Sequence, residues 1–523
     1  MIHGFSLIGS ASGGANGTTF QAQNPASGER LDPPFHSASD AEVDRAVELA
    51  RAAGPVLEAA PREARSALLR RIAEGLEEAA GELVPRVMAE TALPEPRVRG
   101  ELARTCGQLR LFADVAAEGS WVEARLDSGN PDRTPLPKPD LRSMLQPLGP
   151  VAVFGASNFP LAFGAVGGDT ASAFAAGCPV VAKAHPLNPG TSELVAQVVQ
   201  AALLGVGLPA GAFSLLFDAG HGVARRLVEH PAIRAVGFTG SFHGGMALLE
   251  LARNRPDPIP VFAEMGAANP VVALPGALAA RGAALGQTLA ASVLNGVGQF
   301  CTCPGIILAV QGPGFQALRS SLAEAMAAAA PAPMLGEGLA RSYRLGLERH
   351  LSAGAVPVFS SQPSQGCFGA PALMETSGQE LLRLPGLTEE VFGPTALLVA
   401  CADETERERA IAALPAQLTA TLWMEPEDEA LAVRLLPSLR RLAGRVLFNG
   451  VPTGVEVGHA MVHGGPWPAT SAQQATSVGT RAITRWTRPI CYQDAPETLL
   501  PLELQAGNPL GIWRLYDGVF GRR

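Results

Sequence analysis

Charge is scarce in this chain, and its balance has the wrong sign for a nucleic-acid partner. Only 17% of the 523 residues are charged and the net charge is -8 at pH 7, so there is no basic excess to displace phosphate counterions. No run of Lys and Arg appears. The start, Met1-Ile-His-Gly-Phe-Ser-Leu-Ile-Gly-Ser, lacks a basic segment followed by a long apolar core, so no secretory signal is read and a cytoplasmic location is expected. The long uncharged stretches Ser143 to Gly168 and Leu194 to Phe217 are both interrupted by Pro and Gly, where a spanning helix would lose backbone hydrogen bonds. They read as buried strands and helices, and no membrane partner is expected. The seven cysteines are odd in number and follow no spacing pattern. That excludes a disulfide framework and points to reduced thiols, one of which can be reactive.

What is present is apolar: 47% of the residues are hydrophobic, enough to fill a globular interior, and the length calls for two or three domains. Ser39-Asp40 can cap a helix whose apolar face is Val43, Ala46, Val47 and Ala50; Leu68, Leu69, Ile72 and Leu76 mark a second helix, and Glu101 to Ala117 a third. Arg104 and Gln108 share a face of the third, a spacing usual for solvated pairs. Two extended runs, Trp121 to Arg125 and Leu141 to Gln146, flank a turn-rich connection and read as a protruding hairpin. From Gly149 onward, Val151-Ala-Val-Phe-Gly, Val180-Val-Ala-Lys, Ala212 to Phe217 and Ala235 to Gly240 are short apolar runs separated by helix-length segments. This is the spacing of a parallel α/β sheet, and a dinucleotide fold follows as a hypothesis, although no Gly-x-Gly-x-x-Gly fingerprint follows the first strand.

The chemistry concentrates between Asn295 and Gly305, Asn-Gly-Val-Gly-Gln-Phe-Cys301-Thr-Cys303-Pro-Gly. An apolar helix precedes it and the strand-like Ile306-Ile-Leu-Ala-Val follows, so Cys301 stands on a tight glycine-rich join. Such a join suits a nucleophile, because the backbone turns sharply there and its amides can face a developing anion; it suits a plain loop thiol equally well. Cys301-x-Cys303 lacks further ligands at metal spacing. His459 and His463, four apart, stand in a Gly/Pro loop with no third ligand evident in the sequence, so no metal is expected. Glu264, after the apolar run Pro260-Val-Phe-Ala, reads alone as a cap or surface residue.

Taken together the motifs resemble those of the aldehyde dehydrogenase superfamily across nearly the whole chain. Asn24-Pro-Ala-Ser-Gly-Glu, Phe154-Gly-Ala-Ser-Asn-Phe-Pro160, Val181-Ala-Lys183, Phe238-Thr-Gly-Ser241, Glu264-Met-Gly-Ala, Gly298-Gln-x-Cys301 and Glu389-Glu-Val-Phe-Gly-Pro394 come in the family's order. The resemblance implies an α/β fold with a Rossmann-like cofactor domain (1–120 and 147–266), a catalytic domain (267–480) and a β oligomerisation arm (121–146 and 481–495). In that arm the hairpin is joined by a strand near Ile483 to Tyr492, and 496–523 form a tail without a motif. A homodimer or homotetramer is expected. Phrases such as Val451-Pro-Thr-Gly-Val-Glu-Val and Arg488-Pro-Ile-Cys-Tyr-Gln resemble one branch, the α-ketoglutaric semialdehyde (2,5-dioxovalerate) dehydrogenases with the NADP-dependent fatty aldehyde dehydrogenases close to them. The family's usual Pro-Phe-Gly-Gly-x-Lys segment is absent.

The resemblance assigns Cys301 as nucleophile, Glu264 as general base and the Asn158 amide, with the Cys301 N–H, as holder of the oxyanion. An aldehyde becomes a thiohemiacetal, then a thioester, then an acid. The cofactor residues implied are Phe154, Gly155, Ala156, Lys183, His185, Gly220, Ser241, Glu390 and Phe392. Where NAD-using members commonly carry a glutamate three residues after the lysine, this chain has Pro186; no carboxylate repels a 2′-phosphate, and Lys183 with His185 would favour NADP, with NAD possible. Candidates for the aldehyde channel are Phe159 and Phe163 on a helix after Asn158, then Phe300, Thr302 and Thr453, with Arg104 for a remote carboxylate. Competing readings are a fatty aldehyde dehydrogenase, a CoA-acylating enzyme, which typically lacks the base, and a silent cofactor-binding protein.

Overall fold

The β-branched and alanine-rich runs of four to seven residues, too short and too flat in periodicity for helices, form the strands of two parallel-rich sheets. The computed structural model describes residues 1–15, 17–361 and 364–522. In the first seven-stranded sheet the order is Val261–Glu264, Ala235–Thr239, Val151–Phe154, Val180–Lys183, Phe213–Leu216, Leu7–Ile8 and Ala11–Ser12. The first five strands run parallel, and the last two extend the sheet antiparallel. Chain order reverses beside Val151–Phe154, so a crevice opens at the carboxyl ends there, the place where open α/β sheets take ligands. Register sets Phe154 beside Lys183 and beside Phe238, and Thr239 beside Glu264. Four separate motifs therefore end on one edge.

The second seven-stranded sheet has the order Val356–Ser360, Ala372–Ser377, Thr395–Cys401, Ile306–Val310, Val271–Ala273, Gln417–Trp423, Ala443–Phe448. The helix Pro275–Leu294 feeds the cysteine turn and packs against Pro313–Ala327. Among the described residues the stretch Pro275–Gly298 is the one long and apolar enough to cross a bilayer by length and composition, and half of its apolar window is buried.

The helices match the apolar spacing, with differences at their ends. Asp40–Ala59 begins at a Ser39–Glu42 capping box and buries Val43, Ala46, Val47 and Ala50. The third expected helix begins two turns earlier, at Glu95, because Pro96 is tolerated in a first turn, and a further helix, Ala80–Thr91, stands before it. Gln108 is buried and Arg104 half-buried, not solvated.

A third sheet takes the order Thr487–Gln493, Leu141–Pro147, Arg125–Asp127, Arg514–Tyr516, Val519–Gly521. Three expectations shift here. Trp121 sits in a 3-10 turn, Ser120–Val122, and the strand starts only at Arg125. Ile483 lies in the 3-10 helix Thr480–Trp486, with the strand following it. The tail supplies two strands of this sheet, its alternating Leu515, Tyr516 and Val519, Phe520 having lacked any motif; its last residue, Arg523, lies outside the described residues.

One buried side chain ties the second sheet, and the loop leading to it from Glu264, to the cysteine turn. Asn269, at φ 49° and fully buried, donates from Nδ2 to the carbonyls of Cys301 (2.8 Å), Ala267 (2.9 Å) and Cys303 (3.1 Å). Its Oδ1 accepts from the Thr419 N–H and hydroxyl, and its own N–H donates to Gln417 Oε1. Asn269→Ala strands these buried groups, so it should destabilise the protein by about 1–3 kcal/mol and lower kcat more than it raises KM. Urea unfolding and steady-state kinetics check this; an unchanged midpoint and kcat would contradict it.

Candidate active site

The cysteine turn is strained into place. Gly296, Val297 and Gly298 all take positive φ (55°, 57° and 66°), a conformation that costs a β-branched valine free energy and that clusters at functional sites. At Gly298 a Cβ would stand 2.0 Å from the Gly393 carbonyl oxygen, so only glycine lets the Glu389-to-Pro394 motif close against the turn. Asn158 Nδ2 donates to the Gln299 carbonyl at 3.0 Å, and Gln299 Oε1 accepts from the Leu335 N–H. One amide hydrogen of Asn158 is used this way.

Glu264 is the last residue of its strand and is buried, not a surface cap. Its Oε2 accepts from the Ser477 hydroxyl at 2.8 Å. Its Oε1 lies 3.0 Å from Nε2 of His463 yet has no hydrogen-bond partner. The same Nε2 is 3.4 Å from Cys301 Sγ. His463 is completely buried, while His459 is exposed, so the histidine pair divides between site and surface. Burial pushes the Glu264 carboxyl up, but the neighbouring His463 and the Ser477 hydroxyl outweigh it and hold the group below the usual carboxylate range. Burial, followed by the Glu264 charge, raises the Cys301 thiol well above its ordinary value. The resting sulfur is a thiol beside a carboxylate, with an imidazole nitrogen in reach of its proton.

In front of the sulfur stands an aromatic wall. Phe159 meets Phe163 edge-on at 5.6 Å and Phe300 at 5.1 Å, and Phe163 lies 6.3 Å from the His463 ring. Phe159 and Phe163 are not on a helix: Pro160, Gly164 and Gly167 interrupt it, the helix starting at Gly168, and a Cβ at Gly164 would stand 1.9 Å from the Pro160 carbonyl oxygen. The turn is held instead by Glu101, whose Oε1 accepts from the N–H groups of Leu161 and Ala162, both at 2.9 Å. Arg97, Glu101 and Arg104 share one helix face; Arg97 pairs with Glu101 and lies 4.5 Å over Phe159, and Arg104 lies 5.3 Å over Phe163. Thr302 is buried, and the Thr453 hydroxyl is engaged with Ser292 at 2.8 Å.

Two arginines hold the loop after Phe448 by its carbonyls. Arg104 donates to Val455 O, and Arg445 to Gly454 O and Pro452 O. Each keeps one buried N–H without a partner, Nη1 of Arg104 and Nε of Arg445, and each is close enough to Cys301 to feel its charge. Arg445, like His463, Ser477, Glu101 and Asn269, was not read as a site residue from the sequence.

The cofactor candidates gather at the crevice. Gly155 N–H donates to the Lys183 carbonyl, and Ala156 N–H to that of Phe163. Lys183 Nζ donates to Asp218 O at 3.0 Å, and Asp218 Oδ1 accepts from the Gly220 N–H. Ser241 caps the helix Phe242–Arg253, whose free N–H groups favour phosphate. Glu390 is pushed up to about 8 by burial, against the Ala267 N–H, and a Cβ at Gly266 would stand 2.2 Å from its Oε2. A half-buried carboxyl approached closely by the Gly266 backbone is the partner a ribose hydroxyl needs, so these residues, with Phe392 beside them, fit a dinucleotide. His185 departs from expectation: burial and the Lys183 charge push it down to about 3, and its Nδ1 accepts from the Leu187 N–H. It brings no positive charge to a 2′-phosphate at neutral pH.

Comparison with known proteins shows the family. The aldehyde dehydrogenase family model matches residues 13–486. An α-ketoglutaric semialdehyde dehydrogenase 2 of Azospirillum brasilense is 50% identical over 99% of this chain and 99% of its own length. An α-ketoglutaric semialdehyde dehydrogenase of Acinetobacter baylyi is 45% identical over 97% and 96%. Among solved structures, an NADP-dependent enzyme of E. coli superposes with a TM-score of 0.80 at 22% identity, covering 94% of this chain and 98% of that one. Aldehyde dehydrogenase C of Pseudomonas syringae, solved with NAD+ and octanal, gives 0.80 at 22%, covering 94% and 97%. The chain belongs to the aldehyde dehydrogenase family, NAD(P)-dependent oxidoreductases that convert aldehydes to acids.

Proposed function

We propose that this enzyme oxidises 2,5-dioxopentanoate, the semialdehyde of 2-oxoglutarate, with NADP preferred over NAD. The observation that carries the substrate is the pair of unspent buried N–H groups on Arg104 and Arg445 beside the channel. Buried unpaired donors are costly, and the carboxylate and keto oxygens at the far end of this substrate satisfy them; the names of the two relatives agree. The aromatic wall of Phe159, Phe163 and Phe300 supports a second reading, aliphatic aldehydes. For the cofactor, Pro186 in place of a carboxylate removes repulsion of a 2′-phosphate, and Lys183 supplies the cation. The β arm, with Thr487–Gln493 and Val519–Gly521 at its two edges, suits assembly with further copies of the chain.

Cys301 Sγ adds to the aldehyde carbon, and its proton passes toward His463 Nε2, 3.4 Å away. The oxyanion so formed is held by the free Asn158 amide hydrogen and the Cys301 N–H, donors worth roughly 3 kcal/mol each. A nicotinamide held by the residues at the crevice would supply the acceptor for the hydride of that carbon. Glu264, held ionised by the Ser477 hydroxyl and by His463 once its imidazole carries the thiol proton, then draws a proton from the water that cleaves the thioester. Retention of this carboxylate speaks against CoA as the acceptor, and the complete set of Cys301, Glu264 and Asn158 against a silent protein.

Three measurements test this reading. In Glu264→Gln, one equivalent of reduced cofactor per site should form in a burst, followed by turnover slowed about 10²–10⁴-fold; equal loss of both phases would remove glutamate from the deacylation step. Because the thiol titrates high, its thiolate fraction rises with pH: alkylation of Cys301 by iodoacetamide should accelerate about tenfold per pH unit from pH 6 to 9, and a plateau below pH 8 would mean a resting thiolate. Arg104→Met should raise KM for 2,5-dioxopentanoate at least about tenfold while leaving hexanal unaffected, with kcat/KM of the parent enzyme higher for NADP than for NAD. Equal effects on both aldehydes would reject the carboxylate reading, and a ratio favouring NAD the cofactor preference.

A further inference from the structure

Glu264, Cys301 and His463 bring three different donor types to one point. One oxygen, the sulfur and one ring nitrogen all lie within 4.8 Å of one another, with Nε2 3.0 Å from Oε1 and 3.4 Å from Sγ. Around a tetrahedral zinc ion, with Zn–S near 2.3 Å and Zn–N and Zn–O near 2.0–2.2 Å, neighbouring donors stand roughly 3.3–3.7 Å apart. The two separations from Nε2 need only a few tenths of an ångström of adjustment, and Oε1 and Sγ stand within 4.8 Å of each other. Two further features point to a ligand. Glu264 Oε1 is buried and faces the His463 nitrogen at 3.0 Å without hydrogen-bond geometry, while its other oxygen is fixed by Ser477, the outer-shell support that orients a ligating carboxylate. Cys301 is partly accessible, leaving a fourth position toward the channel, as open zinc sites have.

We propose that these three side chains form a reversible inhibitory site for a thiophilic divalent cation such as Zn2+. On binding, the Sγ–H bond breaks, its proton leaves to solvent, and the sulfur, Nε2 and Oε1 each donate a pair to the metal; no electron is transferred. Nucleophile and base are then both occupied, so the metal excludes the aldehyde. His463 Nδ1 has no partner among the described residues, so the ring is not reinforced as in structural zinc sites, and a chelator removes the metal. The inference rests on the placement of the donors and is independent of which aldehyde is oxidised.

Titration of the full-length enzyme with Co2+ tests it. One equivalent should give a thiolate-to-cobalt charge-transfer band, Zn2+ should displace it, and Zn2+ should inhibit competitively with aldehyde, reversibly with EDTA, while slowing alkylation of Cys301. His463→Ala and Glu264→Gln should each weaken Co2+ binding more than about tenfold, and Cys303→Ser should leave it unchanged. Should His463→Ala fail to fold, Glu264→Gln alone decides. Absence of the band, or a band lost in Cys303→Ser and kept in the other two variants, overturns the proposal and in the latter case places the metal on the Cys301-x-Cys303 pair.

Discussion

An ionised carboxylate buried beside a thiol is the constraint around which the interior is arranged. Taking Glu264 out of water is expensive, and the structure offsets that cost with the imidazole of His463 at 3.0 Å and the hydroxyl of Ser477 at 2.8 Å. The same carboxylate raises the Cys301 thiol, so nucleophile and base cannot both be charged cheaply at rest. Such mutual opposition suits a reaction in which the sulfur gives up its proton only when an electrophile arrives and the carboxylate acts in a later step. Holding the arrangement requires backbone from both large sheets. Asn269 joins the second sheet, and the loop leading to it from Glu264, to the turn, and the positive φ of Val297 is tolerated because Gly298 and the Gly393 carbonyl lock the turn from outside.

The channel repeats the pattern of a polar group compensated by aromatic or backbone partners. Glu101 lies buried in mid-helix only because two N–H groups of the Phe159-to-Phe163 turn and the Arg97 guanidinium satisfy it. Arg97 and Arg104 in turn rest on the faces of Phe159 and Phe163, which keeps cations in an apolar passage. Under the proposed function these cations and rings would favour a short aldehyde carrying a carboxylate over a plain alkyl chain.

Much of this was legible in the chain, and the limits are physical. Strands with a four-to-seven-residue apolar run, the Ser39 cap and the strand-helix spacing of a parallel sheet needed only local patterning, and Cys301, Glu264, Asn158, Lys183 and Glu390 each sit in a contiguous motif. His463 was invisible as a site residue because it lies 162 residues from Cys301 in a Gly/Pro loop with no periodicity, and its third and second neighbours come from other segments. Asn269 and Glu101 act through backbone groups distant in sequence, which no residue pattern announces. His185 was misread for another reason: adjacency to a lysine suggested a joint cation, but burial next to that lysine is what keeps the imidazole neutral. The tail strands Arg514–Tyr516 and Val519–Gly521 were too short to distinguish from a loop until their partner Arg125–Asp127 was in place.

The claim on which the rest hangs is that Cys301 carries the acyl group and Glu264 releases it. Peptide mass spectrometry of the Glu264→Gln variant, quenched with acid after one exposure to 2,5-dioxopentanoate and NADP, addresses that directly. The account predicts the peptide bearing Cys301 heavier by the acyl residue, in proportion to the cofactor reduced. Reduced cofactor accumulating while Cys301 stays unmodified, or an adduct on Cys303 instead, would contradict it.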